Sequence, residues 1–151
     1  MSFDRLVSFA LDDGHYALPL ASVERVVRAV AITPLPDAPD VILGVINVRG
    51  QIVPVADMRK RFHLPAREIA LSDQIVIAHT PKRPLALVAD AVYGIVECSA
   101  REIVAMEGVI PGLEYVEGLV KMEDGLILIH DLDRFLALEE EASLERAMKN
   151  A

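Results

Sequence analysis

The chain has 151 residues, 53 % of them hydrophobic and 25 % charged, which is the balance of a folded domain and excludes wholesale disorder. Aromatics make up only 5 %, with no Trp, whereas 18 Val and 12 Ile give a β-branched surplus that favours strands over helices. A net charge of −8 argues against a nucleic-acid binder that works by neutralising phosphates.

Phe3 to Leu11 alternates as a strand, and Asp12-Asp13-Gly14 signals a turn into a second strand, His15 to Leu20. After Ser22, either a short helical turn or a strand through Val26 to Ala31 fits the β-branched pattern. Thr33 to Pro39 holds three prolines and reads as loop. Val41 to Val48, Arg49-Gly50 and Gln51 to Val55 form a predicted hairpin with an Arg-Gly tip. Asp57 stands where an N-cap opens a short helix, Met58 to Phe62. Ser72 to His79 and Leu85 to Val92 read as strands, the latter continuing through Tyr93 to Glu97. Ser99 with Glu102 three residues on fits a capping box, and Pro111-Gly112 breaks the chain. Tyr115 to Met122, Asp124-Gly125 and Leu126 to His130 make a second hairpin, and Ala137 to Asn150 ends the chain as a polar, Glu-rich helix.

The second hairpin repeats the first. An offset of 74 sets Gly44 on Gly118, Val45 on Leu119, Val55 on Ile129 and Asp57 on Asp131. An offset of 69 sets Ala17-Leu18 on Ala86-Leu87, Val23 on Val92 and Val26 on Ile95. The repeat units, roughly 15–65 and 84–136, predict two small β-barrels of one design. Units that small bury little surface alone, so they are expected to pack closely or exchange strands. Residues 1–138 then form one domain, and 139–151 an acidic C-terminal helix or tail.

Mean hydropathy is +0.37, yet the best apolar run, Val41 to Val48, stops at Arg49, short of the about 20 residues a spanning helix needs. Met1-Ser2-Phe3-Asp4-Arg5 carries acid early and is expected not to be a signal peptide, and one cysteine, Cys98, gives neither an internal disulfide nor a Cys-based zinc site. A reducing cytoplasm is the expected compartment, with no membrane insertion. Charge is polarised: seven basic residues against three acids from Arg25 to Arg67, and four against ten from Glu114 onward. Such asymmetry suits docking to protein partners.

Catalytic patterns are sparse. His15, His63, His79 and His130 are scattered, no serine sits in a nucleophile elbow, and the glycines form no phosphate loop. Cys98 follows a strand and reads as a small buried hydrophobe. The run Arg59-Lys60-Arg61 is expected to face solvent from its short helix. His130-Asp131-Leu132-Asp133 is the densest candidate for a metal-dependent enzyme, the rival reading that uses His130, Asp131 and Asp133. The repeat weakens it, because Asp131 matches Asp57 at the same strand-to-helix junction, where an acid caps free backbone amides. The expectation is no enzyme, no metal and no cofactor. Arg49 is a separate case: a hairpin tip usually selects Asn-Gly or Asp-Gly, so Arg-Gly projects a long cation from a rigid mount.

The run Gly44-Val45-Ile46-Asn47-Val48-Arg49-Gly50-Gln51-Ile52-Val53-Pro54-Val55-Ala56-Asp57-Met58-Arg59 closely resembles the signature of the CheW family of chemotaxis coupling proteins. Tyr16-Ala17-Leu18-Pro19-Leu20, Leu35-Pro36 with Pro39, Leu87-Val88-Ala89-Asp90-Ala91-Val92 and Tyr115-Val116-Glu117-Gly118 extend the similarity over nearly the whole chain. The resemblance implies a mainly β fold of two packed SH3-like five-stranded barrels with short helices and a C-terminal helix. It also implies a non-catalytic adaptor that couples the cytoplasmic tips of methyl-accepting chemoreceptors to a CheA-type histidine kinase, recruited to membrane-associated receptor arrays. With 151 residues the chain is expected to be a stand-alone adaptor.

Carried over by position, Val23, Gly44 and Arg49 match receptor-contact positions, and Asn47 and Gly50 fix the hairpin that presents Arg49. Arg25 departs from the family: a Glu is usual two residues after the valine, and here the acid stands one earlier, at Glu24. Reversing a rim charge changes which partner is admitted. A pathway governing pili or a second messenger is therefore an alternative to flagellar chemotaxis, and the resemblance leaves the kinase-binding face unassigned.

Overall fold

The N-terminal alternation forms β1 (Phe3–Leu11) and β2 (Gly14–Pro19), and a 3-10 turn over Leu20–Ser22 leads into β3 (Val23–Arg28). The β-branched residues thus take the strand, starting at Val23, and Ser22 makes no cap. The predicted hairpin is β4 (Ile42–Val48) and β5 (Gln51–Ala56), followed by α1 (Met58–Arg61). Then come β6 (Gln74–His79), β7 (Pro84–Ala89), β8 (Ala91–Ser99), β9 (Ile103–Ala105), β10 (Val116–Met122), β11 (Gly125–His130) and α2 (Leu138–Lys149). The computed structural model describes residues 3–99, 102–105, 115–122 and 125–150, so the expected break at Pro111-Gly112 and the turn position Asp124 lie outside the described residues.

Two sheets result, ordered β3-β6-β7-β5-β4 and β8-β1-β2-β11-β10-β9. Their first five strands correspond one to one, including a parallel contact at the same place: β5 with β7 in one, β11 with β2 in the other. Each half of the chain gives its first two strands to the sheet built by the other half. The hairpin β1–β2 joins β8 to β11, while β6–β7 joins β3 to β5. This strand exchange answers the size problem, since neither 70-residue repeat has to enclose a core by itself.

Both sheets close by the same device. Beyond β3 the chain crosses to β4, where Thr33 and Val45 exchange backbone hydrogen bonds of 3.0 and 2.8 Å. In the second sheet β9 does this against β10, pairing Val104 with Leu119, which is why it holds six strands rather than the expected five. The repeated glycine marks the crossing. A Cβ on Gly44 would stand 2.2 Å from the Thr33 carbonyl oxygen, and one on Gly118 3.1 Å from Ile103 Cγ2 and 3.3 Å from the Val104 oxygen.

Three apolar clusters follow from strand alternation. Ile46, Val53, Val55, Ile75, Ile77 and Ala86 fill the first barrel, and Leu6, Ala17, Cys98, Val120, Ile127 and Ile129 fill the second. The opposite faces of the same strands, with Phe9, Leu11, Leu18, Val76, Leu85 and Leu87, make a shared core between the barrels. Strands buried on both faces explain the near-continuous apolar runs and the aliphatic surplus. Helix α2 adds Leu144 and Ala147 to the shared core, three residues apart on one face. Its Glu140 pairs with Arg61, and its Glu141 accepts a 2.7 Å hydrogen bond from Arg83 Nε. The polar helix expected from composition is therefore docked along its inner face. No helix among the described residues is long and apolar enough to cross a membrane.

Candidate functional site

At the tip of the first hairpin Arg49 and Gly50 both have positive φ, 51° and 87°. That is the backbone a two-residue hairpin prefers, and it is strained for arginine but not for glycine. Asn47 relieves the turn, its Oδ1 accepting a 2.7 Å hydrogen bond from the Gly50 amide. Arg49 is exposed and, among the described residues, makes no hydrogen bond or ion pair. Gly44 is placed differently: it is buried against Thr33 and offers no side chain to a partner, so its first role is to let the barrel close.

Val23 and Arg25 lie on β3 around a bulge. Val23 pairs with Ala78 and Arg25 with Ile77, leaving Glu24 as the extra residue. Val23 packs on the shared core, whereas Arg25 is on the face of Ile77, which fills the first barrel. The bulge thus turns the two side chains to opposite faces. Glu24 lies between His79 and Arg25, with Oε2 3.4 Å from His79 Nε2 and Oε1 3.9 Å from Arg25 Nη2. Arg25 Nε is buried and has no hydrogen-bond acceptor. Strand directions put the start of β3, the β6–β7 turn and the Arg49 hairpin at one end of the sheet. Val23, Arg25, Asn47, Arg49 and Gly50 therefore share an end, and Gly44 lies within the sheet.

The opposite end opens as a groove of about 800 Å³ that the sequence did not disclose. Val30, Ile32, Leu43, Met58, Ile69 and Leu71 line it. Leu71 is 96 % exposed and Val30 48 %, an apolar surface of the kind that contacts other proteins. Its polar wall is an ion-pair network. Arg59 Nη2 lies 2.8 Å from both Asp12 Oδ1 and Asp90 Oδ1, and Nη1 donates to the Pro65 carbonyl at 3.1 Å. Arg67 pairs with Asp90 and, at 2.9 Å, with Asp73, which is itself buried. This corrects the expectation of a solvated basic run: Arg59 is buried, Arg61 stacks at 5.0 and 5.2 Å on Tyr115 and Phe135, and Lys60 alone of the three is exposed. Burial raises the Asp90 carboxyl pKa, but Arg59, the Asp12 amide and Arg67 outweigh it and hold the group below the usual carboxylate range.

The candidate metal set does not assemble. His130 is 1 % exposed, and both ring nitrogens lack hydrogen-bond partners. It packs against Phe62 and Phe135 with ring centroids 5.1 and 5.6 Å away. Burial, helped by Arg61, drives its pKa down to about 3. Asp133 is exposed, and no group of three metal-ligating side chains occurs among the described residues. The cap expectation holds for Asp57, whose Oδ1 accepts from the Lys60 amide at 3.1 Å. Asp131 opens a 3-10 turn over Leu132–Arg134 without a side-chain cap of ordinary hydrogen-bond geometry; the Arg134 and Asp133 amides still favour its carboxylate, and its Oδ2 lies 3.8 Å from Arg134 Nε. Glu102 does complete half of the expected capping box, accepting from the Ser99 amide at 3.0 Å.

Comparison with known proteins agrees with this architecture. The family model of the CheW-like domain matches residues 5–140. The chemotaxis protein CheW of Rhizobium meliloti (strain 1021) is 29 % identical over 137 residues, covering 89 % of this chain and 88 % of that one. That of Bacillus subtilis (strain 168) is 30 % identical over 142 residues, covering 93 % and 91 %. The crystal structure of the scaffolding protein TtCheW from Thermoanaerobacter tengcongensis superposes with a TM-score of 0.84 at 31 % identity, over 92 % of this chain and 96 % of that one. With two exchanged barrels and a family match over nearly its whole length, the chain belongs to the CheW-like family.

Proposed function

We propose that the protein is a non-catalytic adaptor that links chemoreceptor tips to a CheA-type histidine kinase in membrane-associated signalling arrays. The observation that carries this reading is the presence of two unlike surfaces at opposite ends of one barrel. One end presents Arg49 on a hairpin held by Asn47 and Gly50, beside Val23 and Arg25, and is assigned to the receptor. Gly44 supports that face indirectly, by closing the sheet from which the hairpin projects. The other end, the apolar groove around Leu43, Ile69 and Leu71, is assigned to the kinase. An adaptor needs two such surfaces that do not overlap, and exposed aliphatic side chains rimmed by charge suit reversible docking multiplied by array avidity.

Binary binding tests the assignment. A soluble receptor tip fragment and a CheA-type kinase from the source organism are each titrated against wild type, Arg49→Glu and Leu71→Asp. Arg49→Glu is expected to weaken only receptor binding, and Leu71→Asp only kinase binding. Binding of neither partner by the wild type would refute the reading. The departure at Arg25 favours a non-flagellar branch, such as pilus or second-messenger control, as a second reading. It predicts preference for a receptor and kinase of such a pathway over a flagellar pair.

A further inference from the structure

In a chain of net charge −8, the end of the first barrel that carries Val23 and the Arg49 hairpin is cationic. Its segments hold four cations, Arg25, Arg49, Lys82 and Arg83, against one acid, Glu24. Arg83 is neutralised by Glu141 of α2 at 2.7 Å. Glu24 is divided between His79 and Arg25, and at 3.9 Å it forms no hydrogen bond with the Arg25 guanidinium. Lys82 is exposed, and only its backbone amide is engaged, by Thr80 Oγ1 at 3.3 Å. Arg49 and Lys82 therefore stand without an acid, and Arg25 has only Glu24 at 3.9 Å, at the end that also carries Val23 and the exposed Ile52. At the opposite end Arg59, Arg61 and Arg67 each bond a carboxylate. Arg49 and Lys82 have no such partner among the described residues.

We infer that this end recognises an acidic amphipathic segment of its partner, with carboxylates facing Arg25, Arg49 and Lys82 and an apolar stripe on Val23 and Ile52. The inference rests on the assignment of this end to the receptor and adds the chemistry of the segment that docks there. Arg25 and Lys82 are then specificity-determining residues, admitting a tip that carries acids where a family member with Glu at the Arg25 position would repel them. The overall negative charge opposes a nucleic acid as the occupant, whereas a local patch suffices to steer a peptide segment.

The test measures the affinity of the receptor tip fragment for wild type, Lys82→Glu, Arg25→Glu and Arg25→Lys, each at about 50 and 300 mM salt. Circular dichroism confirms folding, and the exposed Lys82 provides a variant that does not depend on packing. Each charge reversal is expected to weaken binding about tenfold at low salt, with Arg25→Lys near wild type and the differences shrinking at high salt. Normal binding that neither reversal nor salt alters would overturn the inference and leave the receptor assignment standing. Absence of wild-type binding at either salt would overturn the assignment itself. Tighter binding of a duplex DNA oligonucleotide than of the receptor fragment would overturn the acidic-segment proposal in favour of a nucleic acid.

Discussion

Arg59 and Asp90 form a bifurcated contact, in which Nη2 reaches Oδ1 at 2.8 Å and Oδ2 at 2.9 Å, between α1 of one barrel and the point where the chain crosses to the other. Asp90 also accepts the Asp12 amide at 2.7 Å, which ties in the β1–β2 turn of the second barrel. The side chains are 10 % and 26 % exposed, so the pair is largely shielded from water. Removing one partner strands the other. Arg59→Ala is expected to cost about 3 kcal/mol in urea unfolding. Asp90 has a depressed folded pKa, so its contribution is complete above the unfolded value of about 4 and is lost as pH falls through the folded one. Asp90→Asn should therefore flatten the acid limb of the stability curve below about pH 4. An unchanged limb would show that the contact does not persist in solution.

His130 predicts a second pH dependence, in a different window. Its folded pKa, about 3, lies below the unfolded value near 6.5, so the unfolded chain takes up a proton first as the solution is acidified. Stability is full above about pH 6.5 and declines toward pH 3, by up to about 1.4 kcal/mol per pH unit. His130→Phe, placed among Phe62 and Phe135, removes the titration and should reduce the slope between pH 6 and 4.5 by about one proton. Equal slopes for the two proteins would place the imidazole in contact with water.

Gly44 and Gly118 stand at equivalent positions, yet the tolerances differ. At Gly44 a methyl group meets a backbone oxygen at 2.2 Å, with φ at 157°, and the Thr33 crossing must move. At Gly118 the contacts are 3.1 and 3.3 Å, and one of them is the tip of Ile103. Gly44→Ala is expected to cost more than about 2 kcal/mol and Gly118→Ala about 1 kcal/mol. Thermal denaturation ranks the two, and the reverse order would contradict the closure geometry. Loss of receptor binding in Gly44→Ala has to be read beside its Tm.

Much of this fold is legible in the sequence. The Arg49-Gly50 tip, the matched hairpins and the Gly44/Gly118 correspondence all follow from local spacing, and the small size of each repeat left close packing or exchange of strands as the two alternatives. The strands β1 and β6 hold equivalent places too, but no residue match between them stood out, so the aligned units began at β2 and β7. The buried network is not legible in the sequence because its members lie far apart, Asp12 and Asp90 by 78 positions. A four-residue helix also has no periodicity to show which of Arg59, Lys60 and Arg61 turns inward. One signal was available: Asp90 interrupts the apolar run from Leu85 to Val92, where a charge has to find a partner. The Glu-rich composition of α2 hid Leu144 and Ala147 in the same way.

The most direct test of the adaptor assignment is co-sedimentation of a CheA-type kinase with receptor signalling fragments tethered to vesicles, with and without this protein. The kinase is expected to sediment with the vesicles only when the wild-type protein is present. Arg49→Glu should leave a soluble complex with the kinase, and Leu71→Asp should reach the vesicles without it. Equal kinase recruitment in the absence of the protein, or by both variants, would contradict the bridging role.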